Sequence, residues 1–346
     1  MFENKNRTEA GELGEFGLID HLTKDTILYN KSSLKGIGDD AAIINTGKGK
    51  VSVVSTDMLI EGVHFDLSYM PLRHLGYKAV VVNLSDICAM NARPEQILLS
   101  IAASNRFSLE AMEELYSGIH LACKHYKVDL VGGDTSTSHK GLMLSLTAIG
   151  SADENKISYR NTAGQTDLLC VTGDLGGAYV GYQLLEREKR IFLEKPDFQP
   201  DLEGNDYILQ RQLKPEARID VIDMLNTLGI KPSSMIDISD GLASEVHHLC
   251  KQSNIGMVVY EDKLPIDSQT FEKAREFNLD PMICALNGGE DYELLFTIAQ
   301  TDYDKIKGNP DITVIGHCTE PAAGINVVTK AGNTFPLKAQ GWQAFS

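Results

Sequence analysis

The sequence predicts an α+β / α/β protein built from two parts, and three observations carry this prediction. The chain has 346 residues, which is long for one domain and ample for a buried core. Strand-like and helix-like segments alternate along it. A polar stretch at residues 151–167 interrupts this alternation. We therefore expect an N-terminal α+β part, residues 1–150, and a C-terminal α/β part, residues 151–346.

The first part shows the alternation clearly. "KVSVVSTD", residues 50–57, predicts a buried strand, and residues 71–92 carry apolar side chains at helical spacing. "QILLSIAAS" predicts a strand, and the segment that starts at Ser108 predicts a helix with that serine as its N-cap. Two further strands are expected from "VDLVGGD" and "GLMLSLTAIG".

The second part opens with "LLCVTGDLGGAYVGYQLLE", which predicts a strand, a glycine turn and a helix. A charged insert containing proline follows at residues 189–206, and helices are expected around residues 207–229. "MIDISDGLASEVHHLCKQ" predicts another strand, turn and helix, and "YELLFTI" and "DITVIGHC" predict late strands.

The charge balance excludes two classes of partner. The chain carries 32 Lys and Arg against 48 Asp and Glu, a net charge of −16. Such a field repels phosphate backbones and anionic lipids, so neither a nucleic acid nor a membrane surface is an expected partner. Phosphate chemistry on this chain would need cations to mediate it.

Cysteine usage and the N-terminal sequence indicate a cytoplasmic protein. The six cysteines have no CxxC or zinc-type spacing, and most lie in apolar stretches typical of buried, reduced thiols. The N-terminal residues lack an apolar signal core. No segment approaches the roughly 20 apolar residues that span a bilayer.

Carboxylates recur beside strands and glycine turns. Predicted strands run out onto Asp57, Asp134, Asp237 and Asp240, and "GIGDD" and "NGGED" place acids directly after glycines. Each could be a turn former or a helix N-cap, and Asp134 and Asp240 are the clearest cases. Their repetition favours a converging set of oxygen ligands, which suits Mg²⁺ together with a substrate phosphate.

Asp86 strengthens the metal interpretation because it interrupts an otherwise apolar helix. A buried carboxylate is costly without a partner or a metal. Ser55 and Thr56 add neutral oxygens beside Asp57, and "VGGDTS" offers glycine amides to a phosphate. No P-loop, dinucleotide-binding or protein-kinase motif occurs.

Three other residues have two interpretations each. His64 could bind a ligand because it is close to the acids, or it could be structural. Arg160 could meet a phosphate, although a surface ion pair is the better interpretation of the pattern alone. Trp342, the single tryptophan, could stack on a ring or dock the tail.

Taken together, the motifs resemble the thiamine-monophosphate kinase family. The resemblance is carried by "GEFGLI", "GIGDDAAII", "STDMLIEGVHF", "KAVVVNLSDICAMNARP", "VGGDTS", "DISDGLASEVHHL", "GGEDYELLFT" and "GWQAF", which cover about residues 14–345 in the family's order. It implies ATP-dependent phosphorylation of thiamine monophosphate. It also implies the two-domain fold of the aminoimidazole ribonucleotide synthetase-like superfamily, a C-terminal α/β sandwich domain, and a homodimer whose N-terminal mixed sheets form a barrel.

The resemblance also implies roles for individual residues. The implied Mg²⁺ ligands are Asp39, Ser55, Thr56, Asp57, Asp86, Asp134, Asp237 and Asp240. The implied ATP contacts are Tyr116, Gly133, Asp134, Arg160 and Ser239. The implied contacts to thiamine monophosphate are His64, Glu290 and Trp342, and the family also carries other aromatic residues at the last position. The roles of Asp40 and Asp291 stay open.

The expected chemistry is direct in-line phosphoryl transfer assisted by several Mg²⁺ ions, with no assigned general base. The main enzymatic alternative is another enzyme of the superfamily, such as formylglycinamidine or aminoimidazole ribonucleotide synthetase. The alternative from a different class is a non-catalytic protein that binds divalent metal or nucleotide.

Overall fold

The structure is a computed structural model that describes residues 14–197 and 199–340. Within this part of the chain the strands form two mixed sheets, one from residues 33–153 and one from residues 168–336. Helices accompany both sheets, in agreement with the predicted α+β / α/β class. The division at residue 150 stays a prediction; the first sheet ends at Asp153.

The first sheet has six strands among the described residues. They are β1 (Ser33–Lys35), β2 (Ala42–Gly47), β3 (Lys50–Ile60), β4 (Arg93–Ala103), β5 (Asp129–Thr137) and β6 (Leu142–Asp153). Their order across the sheet is β1-β2-β3-β6-β4-β5. Neighbours run antiparallel except β4 and β5, which are parallel. The strand β5 is last in this order, so it forms one edge of the sheet.

Three helices belong to this half: α1 (Gly14–Thr23), α2 (Leu72–Ala89) and α3 (Leu109–Tyr126). Ser108 caps α3 as predicted, because its hydroxyl accepts from the Ala111 amide at 3.3 Å. The helices α2 and α3 cross closely at Gly118, where an added Cβ would lie 1.8 Å from the Arg73 carbonyl oxygen. Only glycine permits this approach.

The second sheet has seven strands in the described residues. They are β7 (Leu168–Thr172), β8 (Ser234–Asp237), β9 (Gly256–Tyr260), β10 (Leu294–Ile298), β11 (Ile312–Thr319), β12 (Ile325–Val328) and β13 (Thr334–Pro336). Their order is β13-β12-β9-β11-β7-β10-β8. The strands β7 and β10 are short, apolar and almost fully buried, which is typical of strands in the interior of a sheet that is covered on both faces.

Seven helices accompany this sheet in the described residues. They are α4 (Gly177–Glu194), α5 (Asp206–Leu213), α6 (Ile219–Thr227), α7 (Leu242–Ser253), α8 (Ser268–Glu276), α9 (Pro281–Asn287) and α10 (Tyr303–Ile306). The charged insert of residues 189–206 begins inside α4. None of the helices in the described residues has the length and apolarity that crossing a bilayer requires.

The helix α2 lies between the two halves and is buried on almost every side. It packs on α3, β3 and β6 of the first half, and on β8 and α5 of the second. A helix that is apolar all round belongs in a core. Polar side chains on α2 therefore point into protein, and they bring residues from both halves into contact.

Two strands continue beyond their predicted ends. The strand β3 runs to Ile60 and β5 to Thr137, so the prediction that Asp57 and Asp134 terminate strands is wrong. Past Asp57 the strand β3 continues through Met58, Leu59 and Ile60, because its backbone stays paired with β6. The polar residues of the edge strand β5 stay in the strand because their backbone is paired with β4. Asp237 ends β8 as predicted.

Candidate active site

A cluster of three carboxylates lies where the two halves meet. Asp40 comes from the loop between β1 and β2, Asp86 from α2, and Asp237 from the end of β8. One oxygen from each lies within 4.8 Å of the others. We call these three residues the acid cluster. The fold thus brings acids from distant parts of the sequence together, as the sequence predicts for Asp86 and Asp237.

Asp86 is held by a serine and surrounded by like charges. The Ser55 hydroxyl donates a hydrogen bond to its Oδ2. Burial raises the pKa of Asp86 well above its ordinary value, and the charges of Asp57, Asp237 and Asp40 raise it further. Asp57, on the same face of β3 as Ser55, therefore lies in electrostatic range of the acid cluster.

Asp237 is held in a similar way from the other half. The Ser85 hydroxyl on α2 donates to its Oδ2 at 2.7 Å. Burial raises the pKa of Asp237 to about 7, and the charge of Asp40 adds to the rise. Both carboxylates therefore resist ionisation as long as no cation balances them.

Arg160 supplies the nearest positive charge. Its Nε donates to Oδ2 of Asp40 at 2.8 Å, and its Nη2 donates to Oδ1 at 2.5 Å. Arg160 does form an ion pair, as that interpretation expects, but the pair is not at the surface, since only 15% of the Arg160 side chain is exposed. A bidentate pair of this kind fixes the orientation of the Asp40 carboxylate.

Asp39 lies beside this pair but outside the three-residue group. Its buried Oδ2 has no hydrogen-bond partner, although Lys35 lies 3.6 Å away. Burial raises the pKa of Asp39 to about 6, with Asp40 adding to the rise. Asp40, whose role the sequence left open, therefore belongs to the acid cluster, and the metal role of Asp39 stays a prediction.

The donor set fits a hard divalent cation. The acid cluster offers only carboxylate oxygens, the pKa values of Asp86 and Asp237 are raised, and a buried oxygen of Asp39 has no hydrogen-bond donor. Mg²⁺ prefers such ligands, and its charge would remove the repulsion among them. Asp86 and Asp237 are the residues best placed to hold it.

We expect the effect of magnesium on stability to depend on pH. The pKa values of Asp39 and Asp237 are about 6 and about 7 in the folded protein, against an ordinary 3.8. As the pH rises from about 4 to about 7, these two groups therefore lower the free energy of unfolding of the metal-free protein. Magnesium binds the ionised forms. Adding it should raise the melting temperature by several degrees at about pH 8 and hardly at all at about pH 5.

Scanning fluorimetry at the two pH values measures this difference. The variant Asp237→Asn should show a smaller magnesium effect at the higher pH than the unchanged protein. An equal magnesium effect at both pH values would contradict a carboxylate site.

The glycine-rich segment of β5 lies away from the acid cluster. Tyr116, Gly133 and Asp134 line a surface pocket of about 490 Å³. Gly133 lies against β4, since an added Cβ would be 1.8 Å from the Leu99 carbonyl oxygen. Asp134 accepts from the Thr135 amide at 2.9 Å. Because Asp134 lies inside a strand, the alternative of a helix cap is wrong.

Strand register separates Asp134 from Asp57. Asp57 pairs with Leu146, which pairs with Leu99, which pairs with Gly133. Gly133 is thus three strands, or roughly 14 Å, from Asp57. Asp134 follows it and points to the opposite face. Within one chain the structure does not bring Asp134 to the acid cluster, and its assignment as a metal ligand stays a prediction.

A second group of predicted residues surrounds the loop of residues 288–293. The Ser239 carbonyl accepts from the Glu290 amide at 2.7 Å. His64 accepts at Nδ1 from the Ile60 amide at 3.0 Å. Burial lowers the pKa of His64, and the nearby charge of Glu290 opposes this. The structure therefore brings His64 and Glu290 into one neighbourhood, while Ser239 supports the loop through its backbone.

Other predicted residues are placed differently. The Thr56 hydroxyl donates to the Leu146 carbonyl at 2.8 Å, on the face of β3 opposite to Ser55 and Asp57. Asp240 precedes α7, and its amide donates to Glu245. Asp291 accepts from the Gly176 amide at 2.8 Å, at the start of α4. Trp342 lies outside the described residues.

Sequence reasoning missed three polar residues at this site. Ser85 donates to Asp237, Asn83 accepts from the Asp57 amide at 3.1 Å, and Lys78 pairs with Glu290. All three lie on α2, within the apolar run that contains Asp86. The argument that singled out Asp86 applies equally to Lys78, because a buried ammonium also needs a partner.

Comparison with known proteins places the chain among characterised families. The AIR synthase related protein, N-terminal domain, matches residues 38–152, and the corresponding C-terminal domain matches residues 167–325. Thiamine-monophosphate kinase of Bacillus subtilis is 31% identical over 338 residues, covering 96% of this chain and 100% of the relative. The Aquifex aeolicus thiamine-monophosphate kinase is 34% identical over 336 residues, covering 96% and 99%.

A solved structure of the same family is also similar to this chain. The structure of AaThiL complexed with AMPPCP and TMP matches with a TM-score of 0.82 at 32% identity, covering 98% of this chain and all of that one. The predicted fold class and the resemblance found in the sequence are both confirmed.

Proposed function

The chain belongs to the thiamine-monophosphate kinase family, and from this premise we propose that it phosphorylates thiamine monophosphate with ATP. The products are thiamine diphosphate and ADP. The single observation that carries the proposal is the meeting of Asp40, Asp86 and Asp237 from three distant segments. A relative of the same fold has been solved with AMPPCP, an ATP analogue, and TMP.

The reaction needs no strong base. A terminal phosphate oxygen of thiamine monophosphate is already anionic, so it attacks the γ-phosphorus of ATP directly. The new oxygen–phosphorus bond forms in line with the bond to the bridging β–γ oxygen, which breaks as ADP leaves. No covalent intermediate on the protein is required.

The main obstacle is that both reactants are polyanions. Mg²⁺ bound at the acid cluster would supply the positive charge that offsets this repulsion. Ser55 and Ser85 orient the carboxylates of Asp86 and Asp237 for this task. Arg160 fixes Asp40 in the same place.

The remaining assignments are part of the proposal. Metal contacts are assigned to Asp39, Ser55, Thr56, Asp57, Asp86, Asp134, Asp237 and Asp240, and the geometry of the acid cluster adds Asp40. ATP contacts are assigned to Tyr116, Gly133, Asp134, Arg160 and Ser239, and the pocket at Gly133 supports them. Substrate contacts are assigned to His64, Glu290 and Trp342, and the proximity of His64 to Glu290 supports the first two.

A homodimer and a cytoplasmic location complete the proposal. The edge strand β5 has its outer side unpaired in the described part of the chain, and Val131 on it is 56% exposed. An open edge of this kind is suited to pairing with another chain. The six cysteines are unpaired, which supports a reducing compartment.

The decisive assay compares acceptors. ADP release in the presence of ATP and MgCl₂ should be stimulated by thiamine monophosphate and not by free thiamine or formylglycinamidine ribonucleotide. Thiamine diphosphate should accumulate in equal amount. Stimulation by formylglycinamidine ribonucleotide would indicate a synthetase of the superfamily. ADP release that no acceptor stimulates would leave only a metal- or nucleotide-binding role.

A further inference from the structure

Lys78 on α2 is a fully buried lysine, with none of its side chain exposed. A buried ammonium is costly to desolvate, so it needs an anion and good hydrogen bonds. Its Nζ lies 2.8 Å from Oε1 of Glu290 and donates to the Gln212 carbonyl at 3.1 Å. The helix α2 of the first half thus pairs the positive charge of Lys78 with the carboxylate of Glu290 in the second half.

Glu290 is held from both oxygens. Its Oε1 pairs with Lys78, and its Oε2 accepts from Nε2 of Gln212 at 2.7 Å. Its backbone has a φ of 65°, in the left-handed region that a glutamate rarely adopts, and its amide is fixed by the Ser239 carbonyl. The side chain nevertheless keeps 33% of its surface exposed.

This combination is informative. Neutralising a buried lysine requires only that the two charges lie close together, and it does not require an exposed carboxylate surface. Here the carboxylate is anchored on one side and open on the other, where His64 lies in electrostatic range. Rare backbone geometry that surrounding bonds enforce tends to occur at functional sites.

We propose that Lys78 is a positioning residue, which holds the Glu290 carboxylate in the orientation that recognises the ring system of the substrate. This proposal rests on the proposed function. A fixed carboxylate suits either the amino group of the pyrimidine ring or the positive charge of the thiazolium ring. Lys78 does not itself touch the substrate.

Lys78→Met tests the proposal, because methionine keeps the length and apolar stem and removes the charge. The KM for thiamine monophosphate should rise by about tenfold, since a hydrogen bond to a charged group is being misplaced. The KM for ATP should change by less than about twofold. Lys78→Gln retains an N–H donor and should recover part of the loss.

Lys214→Met is the matched control. Lys214 lies at the same seam between α2 and α5, but its partner is Glu216, 2.9 Å away. This variant should leave both KM values unchanged. If Lys78→Met leaves the KM for thiamine monophosphate unchanged, or raises both KM values together, the positioning role is wrong.

A double variant separates action through Glu290 from a general effect on packing. If Lys78 acts through that carboxylate, Lys78→Met combined with Glu290→Gln should be no worse than Glu290→Gln alone. Losses that multiply would overturn the proposal.

A spectroscopic measurement keeps the proposal testable if the proposed function fails. The absence of turnover with thiamine monophosphate in the unchanged protein would refute the function alone. The charge of Lys78 lowers the pKa of His64, and that of Glu290 raises it. In Lys78→Met the pKa of His64, measured by NMR, should therefore rise. An unchanged pKa of His64 would show that the charge of Lys78 does not act on the neighbourhood of His64 and Glu290, and it would contradict the positioning role.

Discussion

Replacing Asp86 by asparagine is expected to reduce kcat by at least about a hundredfold, as loss of a group that orients or binds a catalytic metal does. The same change should stabilise the metal-free protein. The introduced amide can still accept the hydrogen bond from Ser55, while the repulsion from Asp57, Asp237 and Asp40 disappears. Opposite effects on activity and stability are characteristic of a site that carries functional strain.

Steady-state ADP release and thermal unfolding in EDTA measure the two effects on one protein preparation. Asp262→Asn, which removes an exposed acid, should change neither quantity. An Asp86→Asn protein that keeps normal turnover at low magnesium would refute the role of the acid cluster. One that is less stable than the unchanged protein without metal would refute the repulsion on which that role depends.

Replacing Arg160 by methionine should cause the largest loss of stability, about 3–5 kcal/mol in the absence of divalent cations. Arg160 provides two hydrogen bonds to the buried carboxylate of Asp40, and its amide lies 3.3 Å from Asp39. Without the guanidinium, Asp40 keeps a buried charge that nothing balances. Urea unfolding followed by circular dichroism at about pH 8 measures the loss.

The cause of that loss can be identified by two further measurements. The double variant Arg160→Met and Asp40→Asn should recover much of the stability, because it removes the uncompensated charge. The loss should also be smaller at about pH 5, where Asp39, with a pKa of about 6, is mostly protonated. A loss below about 1 kcal/mol at the higher pH, typical of surface pairs, would contradict the account.

The elements of the fold were predictable because their patterns are strong. Helix α2 has a long apolar sequence and α3 a clear cap, and both occur within a few residues of their predicted bounds. The ends of β3 and β5 were not predictable from apolar runs. Backbone pairing continues through polar and glycine residues as long as a neighbouring strand supplies partners, and sequence does not show the neighbour.

The candidate site was predictable in kind and less so in detail. Repeated acids after apolar segments indicated a shared cation site, and Asp86 and Asp237 do lie together. The choice between Asp39 and Asp40 depends on which side chain Arg160 reaches across 120 residues. No local pattern contains that information.

The face on which a strand residue lies, and the register between strands, also could not be predicted from the sequence. Alternation in β3 separates Thr56 from Ser55 and Asp57, which a list of neighbouring oxygen donors cannot convey. Asp134 is one residue beyond the position that aligns with Asp57, so it points to the opposite face. Such distinctions need the strand order of the sheet, which places β6 and β4 between β3 and β5.

The central claim is that Asp40, Asp86 and Asp237 bind divalent ions between two phosphate-bearing molecules. Diffraction from crystals grown with Mn²⁺, AMPPCP and thiamine monophosphate, recorded at the manganese absorption edge, tests it most directly. The account predicts anomalous peaks in contact with carboxylate oxygens of Asp86 and Asp237 and with phosphate oxygens of both ligands. Peaks elsewhere, with these two carboxylates bound only to Ser55 and Ser85, would contradict it.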